Sequence, residues 1–232
     1  MVTSTSGESF AERARQFTLA SVLSSYPDDE LGIILGGLGD GVADHPGAAG
    51  LAAAMSGPEG LDDVRSAYLN LFDRGREGAS LYETEYGRMR GMSKGNDLAD
   101  IGGFYQAFGL TIDGERVHEM LDHIAVELEF YSVLLVKEQA LASLGDAEGI
   151  EIVGDARKKF LVEHLGRLAR AISERQDVRV HPVYGGVFAW CWELVARECA
   201  LAGVDPPLLD YFGDDELKSE MACGAVHLPV LQ

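Results

Sequence analysis

The sequence predicts an all-α fold: a single helical domain of about nine or ten helices. Three observations carry that prediction. Apolar residues recur at three- and four-residue spacing in several stretches. The longest stripe, Val117, Leu121, Ile124, Leu128, Tyr131 and Leu135, lies on one helix face. No stretch sustains the alternation of a half-buried strand, and no internal repeat appears. The chain has 232 residues, 47% of them hydrophobic and 25% charged, enough to enclose a large core.

Each element follows in order. Residues 8 to 26 read as a helix with Phe10, Ala14, Phe17 and Ser21 on one face, stopped at Tyr26-Pro27. Asp28 to Leu38 reads as a second, short helix, with Asp28 or Asp29 near its start. Residues 36 to 50 are rich in Gly and Asp and read as a loop. A short helix follows over Leu51 to Met55, interrupted at Gly57-Pro58. Leu61, Val64, Tyr68 and Leu71 mark a further helical stripe, ending in Tyr68-Leu-Asn-Leu-Phe72.

Asp73 to Asn96 breaks the pattern. It is glycine-rich and holds Arg74, Arg76, Arg88, Arg90 and Lys94 around Leu81-Tyr82-Glu83-Thr84-Glu85-Tyr86. A loop this long in a compact domain is often functional. Ile101, Phe104, Tyr105 and Phe108 then form an aromatic helical face, with Gly109 suited to the left-handed C-terminal turn. Asp113-Gly114 marks a turn. We read residues 111–122 as a hinge between an N-terminal part, 1–110, and a C-terminal part, 123–232.

Beyond the hinge a long helix runs to about Ala142, and Gly145 to Gly154 reads as a break. Leu161, Leu165, Leu168 and Ile172 mark the next helix. His181-Pro182 opens another, apolar on all sides and so expected at the centre of the core. Val204 to Gln232 reads as a largely irregular tail.

Composition excludes several functions. Nineteen basic and 38 acidic residues give a formal charge of −19, which repels nucleic-acid phosphates and anionic membranes. No basic segment followed by an apolar run opens the chain, and no apolar stretch reaches spanning length. Neither a secretory leader nor a transmembrane helix is expected. Cys191, Cys199 and Cys223 lack C-x-x-C spacing, so inert thiols in a reducing cytoplasm fit better than disulfides or zinc.

Catalytic patterns are sparse. Helical bundles hold two metals through paired Glu-x-x-His motifs, and Glu115-Arg-Val-His118 has no second copy. An oxidoreductase site using Glu115, His118, His123 and Glu127 is the alternative reading. Four-apart pairs such as His123 and Glu127 more often stabilise helices. There is no phosphate-binding G-x-x-x-x-G-K-[ST] and no G-x-S-x-G. The expectation is a binding protein with no catalytic residues, no metal and no cofactor.

The segments Asp100-Ile-Gly-Gly-Phe-Tyr-Gln-Ala-Phe-Gly-Leu110 and Asp122-His-Ile-Ala-Val-Glu-Leu-Glu-Phe130 resemble the TorD/DmsD/NarJ family of redox-enzyme maturation chaperones. Tyr68-x-x-Leu71-Phe72 and Tyr82-Glu83-x-x-Tyr86 add to the resemblance. Leu81 stands where the family carries proline, and Met120-Leu121 interrupt the family's E-x-P-D-H approach. The resemblance implies one helical chaperone domain, active in the cytoplasm. Its client would be the immature catalytic subunit of a molybdenum oxidoreductase, bound at a twin-arginine leader or at the subunit's body. It would aid cofactor insertion and delay export. Guanine-nucleotide binding has been linked to some relatives, and both monomers and domain-swapped dimers occur among them.

A basic, then apolar leader needs carboxylates beside an apolar groove. Asp100, Asp122, His123, Glu83, Glu127 and Glu129 are the candidate polar contacts. Tyr82, Tyr86, Phe104, Tyr105 and Phe108 are the candidate wall.

Overall fold

The computed structural model describes residues 9–37, 47–73, 79–87, 94–110 and 119–209. Among these, the chain is α-helical, with short turns between helices and one isolated antiparallel bridge, Tyr82 to His123. The helices are α1 (Phe10–Ser24), α2 (Leu31–Gly37), α3 (Ala49–Met55), α4 (Leu61–Phe72), α5 (Lys94–Ala107) and α6 (Ile124–Leu144). They continue as α7 (Ala147–Phe160), α8 (Gly166–Glu174), α9 (Gln176–Arg179) and α10 (Gly185–Ala202). Most of the expected hinge, residues 111–118, lies outside the described residues, as do Glu115 and His118 and the tail from 210.

Helix α6 is the axis of the packing. Its stripe residues Ile124, Leu128, Tyr131 and Leu135 are fully buried. Truncating any of the three aliphatic ones to alanine would cost about 2–5 kcal/mol, because the cavity collapses only in part. Helix α1 lies along α6 and also meets α10, with Phe17 stacked at 4.7 Å on Tyr131. Helix α10 is enclosed as its all-round apolar pattern requires: Val187, Phe188, Cys191, Leu194 and Val195 are buried. Burial pushes the Cys191 thiol up to about 12 and the Cys199 thiol to about 11, so both stay protonated and unreactive at neutral pH.

A buried ionic network joins four of these helices. Arg13 of α1 donates two hydrogen bonds to Glu198 of α10, at 2.7 and 2.5 Å. Tyr131 of α6 donates to the same carboxylate at 2.9 Å. Arg157 of α7 lies 2.9 Å from Glu138 and 3.6 Å from Glu198. Glu198 would be costly alone in this interior; two guanidinium groups and a hydroxyl compensate it.

One sequence expectation needs correction. The stretch 145–154 is not a break. Only Gly145, left-handed at φ 72°, and Asp146 interrupt the helices. Asp146 caps α7 by accepting from the Gly149 amide, and Arg157, Lys158 and Lys159 complement the dipole at its far end. A single π-helical turn, Leu161–Leu165, then joins α7 to α8 without a loop. It requires glycine at 166, where a Cβ would sit 2.2 Å from the Leu161 carbonyl oxygen and 2.4 Å from Pro206. His164 lies on this turn and is buried.

Candidate functional site

The segment 79–87 is a strap across the start of α6. Ala79 donates to the Leu71 carbonyl, Glu83 to the Asp122 carbonyl, and Ile124 to the Leu81 carbonyl. Asp122 holds the strap further: its Oδ2 accepts from the Thr84 amide at 3.1 Å and the Thr84 hydroxyl at 2.6 Å. His123 caps α6, its Nδ1 accepting from the Ala125 amide at 3.2 Å. In the neutral ring the proton therefore sits on Nε2. Tyr105 ties α5 to the same junction by donating to the Leu121 carbonyl at 2.8 Å.

The strap separates two recesses. The first, about 220 Å³, is walled by Tyr26, Tyr68, Phe72, Tyr82 and His123, with Glu119 at its rim. Tyr68 stands edge-on to Tyr26 at 5.4 Å and to Phe72 at 5.0 Å. Tyr82 donates its hydroxyl proton to Glu119 and stacks edge-on against His123. The Tyr68 hydroxyl is 3.5 Å from His123 Nε2, and Glu119 is 4.0 Å from it. Burial lowers the His123 pKa, against the raising effect of the Glu119 and Asp122 charges, so the ring is neutral at pH 7. Burial, then the bond to Glu119, raises the Tyr82 pKa, and burial raises that of Tyr68. The recess therefore offers π faces and hydroxyls, with a carboxylate at its rim.

The second recess, about 520 Å³, is charged. His164, from the π-helical turn, places Nδ1 2.9 Å from Glu83 and Nε2 3.2 Å from Asp100. Arg167 reaches to 3.9 Å from Glu83. Burial would lower the His164 pKa, but the hydrogen bond and charge of Glu83, then those of Asp100, outweigh it and raise it. Glu163, Lys159, Asp97 and Tyr86 complete the rim.

The sequence-derived site residues divide between these places. Tyr82 and His123 wall the aromatic recess; Glu83, Tyr86 and Asp100 line the charged one. Phe104 lies behind the charged recess, 5.6 Å from the His164 ring, and Phe108 meets Phe130 at 6.0 Å. Tyr105 is buried against Phe130 at 4.6 Å.

The expected single patch of Asp122, Glu127 and Glu129 beside one aromatic wall is not what the chain builds. Asp122 and Glu127 are both fully buried, and only Glu129 is exposed. Asp122 is enclosed because the strap covers it. Glu127 faces the core, where neither oxygen has a hydrogen-bond partner. Burial, then the charges of Glu83 and Asp122, raise its pKa well above the carboxylate range, with Arg167 opposing. His123 and Glu127 form no shared ligand pair, since the His123 ring is turned to Tyr68 and Glu119.

Sequence reasoning missed Tyr26, Glu119, Glu163, His164 and Arg167. Glu119 stands four before His123, a spacing that was available to read. His164 sits inside a leucine-rich helical stripe and gives no such sign.

The family described as nitrate reductase delta subunit matches residues 42–172, more than half of the chain, and the chain belongs to it. This is a family of molybdoenzyme maturation chaperones, related to the TorD-like proteins that the 100–110 and 122–130 segments resemble. The matched span contains both recesses except for Tyr26 and Leu209. No curated protein matches the chain. Among the described residues, no helix is long and apolar enough to cross a membrane.

Proposed function

We propose that this chain is a cytoplasmic chaperone without catalytic activity of its own. It binds the N-terminal leader of an immature molybdenum-oxidoreductase catalytic subunit in the aromatic recess. The observation that carries this reading is a pocket the size of one or two side chains, walled by Tyr26, Tyr68, Phe72 and Tyr82 and rimmed by Glu119. Aromatic faces attract a guanidinium or ammonium within about 6 Å and equally accept apolar side chains. Glu119 supplies the charge that the buried Asp122 and Glu127 do not offer. Asp122 and His123 act here by holding the strap and capping α6, so that Tyr82 and Glu119 stay in place. Client binding would then shield the leader while the subunit's cofactor is inserted.

The test is calorimetric titration of a synthetic twin-arginine leader peptide into the purified chain. Apolar burial gives a negative heat-capacity change, and the rim charge gives affinity that weakens with salt, since screening acts over about 8 Å at physiological ionic strength. Replacing the two arginines should remove most of the salt dependence. An affinity indifferent to salt and to those arginines would eliminate the role of Glu119. Capture of the leaderless subunit, with no leader affinity, would move the contact to the client's body.

A further inference from the structure

The charged recess carries an arrangement that the chaperone reading does not use. Asp100 of α5, with Glu163 and His164 of the π-helical turn, each present a ligand atom, and no two of these atoms are more than 4.8 Å apart. We propose that Asp100, Glu163 and His164 bind a divalent transition-metal ion of the zinc class, and that this ion clamps α5 to the α7–α8 junction.

The chemistry of the set supports the ion. One imidazole nitrogen and two carboxylate oxygens suit zinc and its first-row neighbours, whereas magnesium and calcium prefer oxygen alone. His164 is held as a metal-binding histidine is held. Its Nδ1 faces the buried Glu83 carboxylate at 2.9 Å, which fixes the ring and turns Nε2 into the recess. Glu83, on the strap, is itself anchored by its backbone amide to the Asp122 carbonyl at the start of α6.

Room and mobility are also present. Ligand bonds of about 2.1 Å place two ligands at most about 4.2 Å apart, so the widest pair need close by only several tenths of an ångström. Asp100 and Glu163 have side chains 55% and 40% exposed and can swing by that much. The recess of about 520 Å³ leaves space for the water ligands that complete the shell. The Lys159 ammonium lies 3.5 Å from Glu163, but it is more than half exposed and is displaced without burying charge. Arg167 points at Glu83 and at the Glu163 carbonyl, not at the ligand oxygens. Glu163 and His164 both line the recess from the π-helical turn.

The experiment is titration of zinc chloride into the chelator-treated full-length chain, followed by calorimetry. One saturable site is expected. Asp100→Asn and Glu163→Gln should each weaken it at least tenfold, and the double variant should lose it. Circular dichroism and the melting temperature of each variant verify its fold. A readout that needs no variant is the imidazole nitrogen spectrum of the wild-type chain, in which zinc should shift His164 Nε2 more than any other ring nitrogen. Binding unchanged in the double variant would place the ion on other residues and overturn the proposal, as would the absence of saturable binding or an unshifted His164. Leader affinity is expected to be the same with and without zinc in Glu163→Gln, so failure here leaves the aromatic recess untouched.

Discussion

The two recesses share one wall and have opposite chemistry. The strap places Tyr82 in the aromatic recess and the next residue, Glu83, in the charged one. Each has a buried histidine at its heart. His123 has its pKa lowered by burial and is neutral, spending Nδ1 on a helix cap. His164 has its pKa raised instead, because Glu83 and Asp100 outweigh its burial. The lesson is that burial alone does not set the state of a histidine. What decides is whether its ring nitrogens meet backbone amides or carboxylates.

The comparison breaks most completely where the wall itself is cut. Asp122→Ala leaves the Thr84 amide and hydroxyl without their acceptor and should cost about 3 kcal/mol, as buried bonds to a charged group do. For a chain of this size that is a fall of about 6–12 °C in melting temperature, measured by calorimetry. Both recesses should lose their ligands together. Loss of one alone would mean the strap is not a shared wall.

Tyr82→Ala addresses one side only. It should weaken leader binding by about thirtyfold, the roughly 2 kcal/mol of an aromatic hot spot. The bond between Glu83 and His164 should persist, which the pH dependence below detects.

Glu127→Gln runs the other way. The buried carboxyl has no hydrogen-bond partner and resists ionisation. A group whose pKa is raised by folding contributes stability below its unfolded pKa, about 4.3, and loses it as pH rises through the folded value. The neutral amide escapes that loss. Denaturant midpoints should show the variant gaining on wild type with rising pH, reaching about 1 kcal/mol in mild alkali. A constant difference across pH would mean that Glu127 is paired.

The two histidines should give slopes of opposite sign. The stability that His164 adds is complete below about pH 6.5, its unfolded value, and fades as pH rises through its raised folded value. His123 is the reverse: its contribution is complete above about pH 6.5 and is lost as pH falls through the lowered folded value. Comparing wild type with His164→Gln and with His123→Gln by urea unfolding across pH 5–9 separates them. Parallel slopes would erase the distinction between the recesses.

The smallest effect belongs to the rim. Glu119→Gln should weaken leader binding only a few-fold, because exposed charge pairs contribute little, yet it should flatten the salt dependence.

Much of the fold was legible in the chain. The stripe Ile124, Leu128, Tyr131 and Leu135 and the all-round apolar pattern of α10 are buried as read. Helices announce themselves through periodicity, since one face must leave water. The reading failed where glycine and acidic residues outweighed capping: Gly149 and Gly154 suggested a break, but Asp146 starts a helix there. The π-helical turn had no signature, because one added residue barely disturbs a three- and four-residue rhythm. The site was less legible for a related reason. Asp122 and Glu127 look like surface carboxylates in sequence, but the strap, 38 residues away in the chain for Thr84, encloses Asp122, and Glu127 faces the core. Long-range enclosure leaves no local mark.

The Arg13–Glu198 pair has a consequence for how the protein is made. Arg13 of α1 can meet its partner only after residue 198 has been synthesised. At about 5–20 residues per second, that pairing waits on the order of ten to forty seconds. Until α6 is synthesised, Phe17 and Leu23, later fully enclosed, have neither α6 nor α10 to cover them. A chaperone of this build thus passes through its own period of exposure at birth, and slowing translation late in the message should lengthen it.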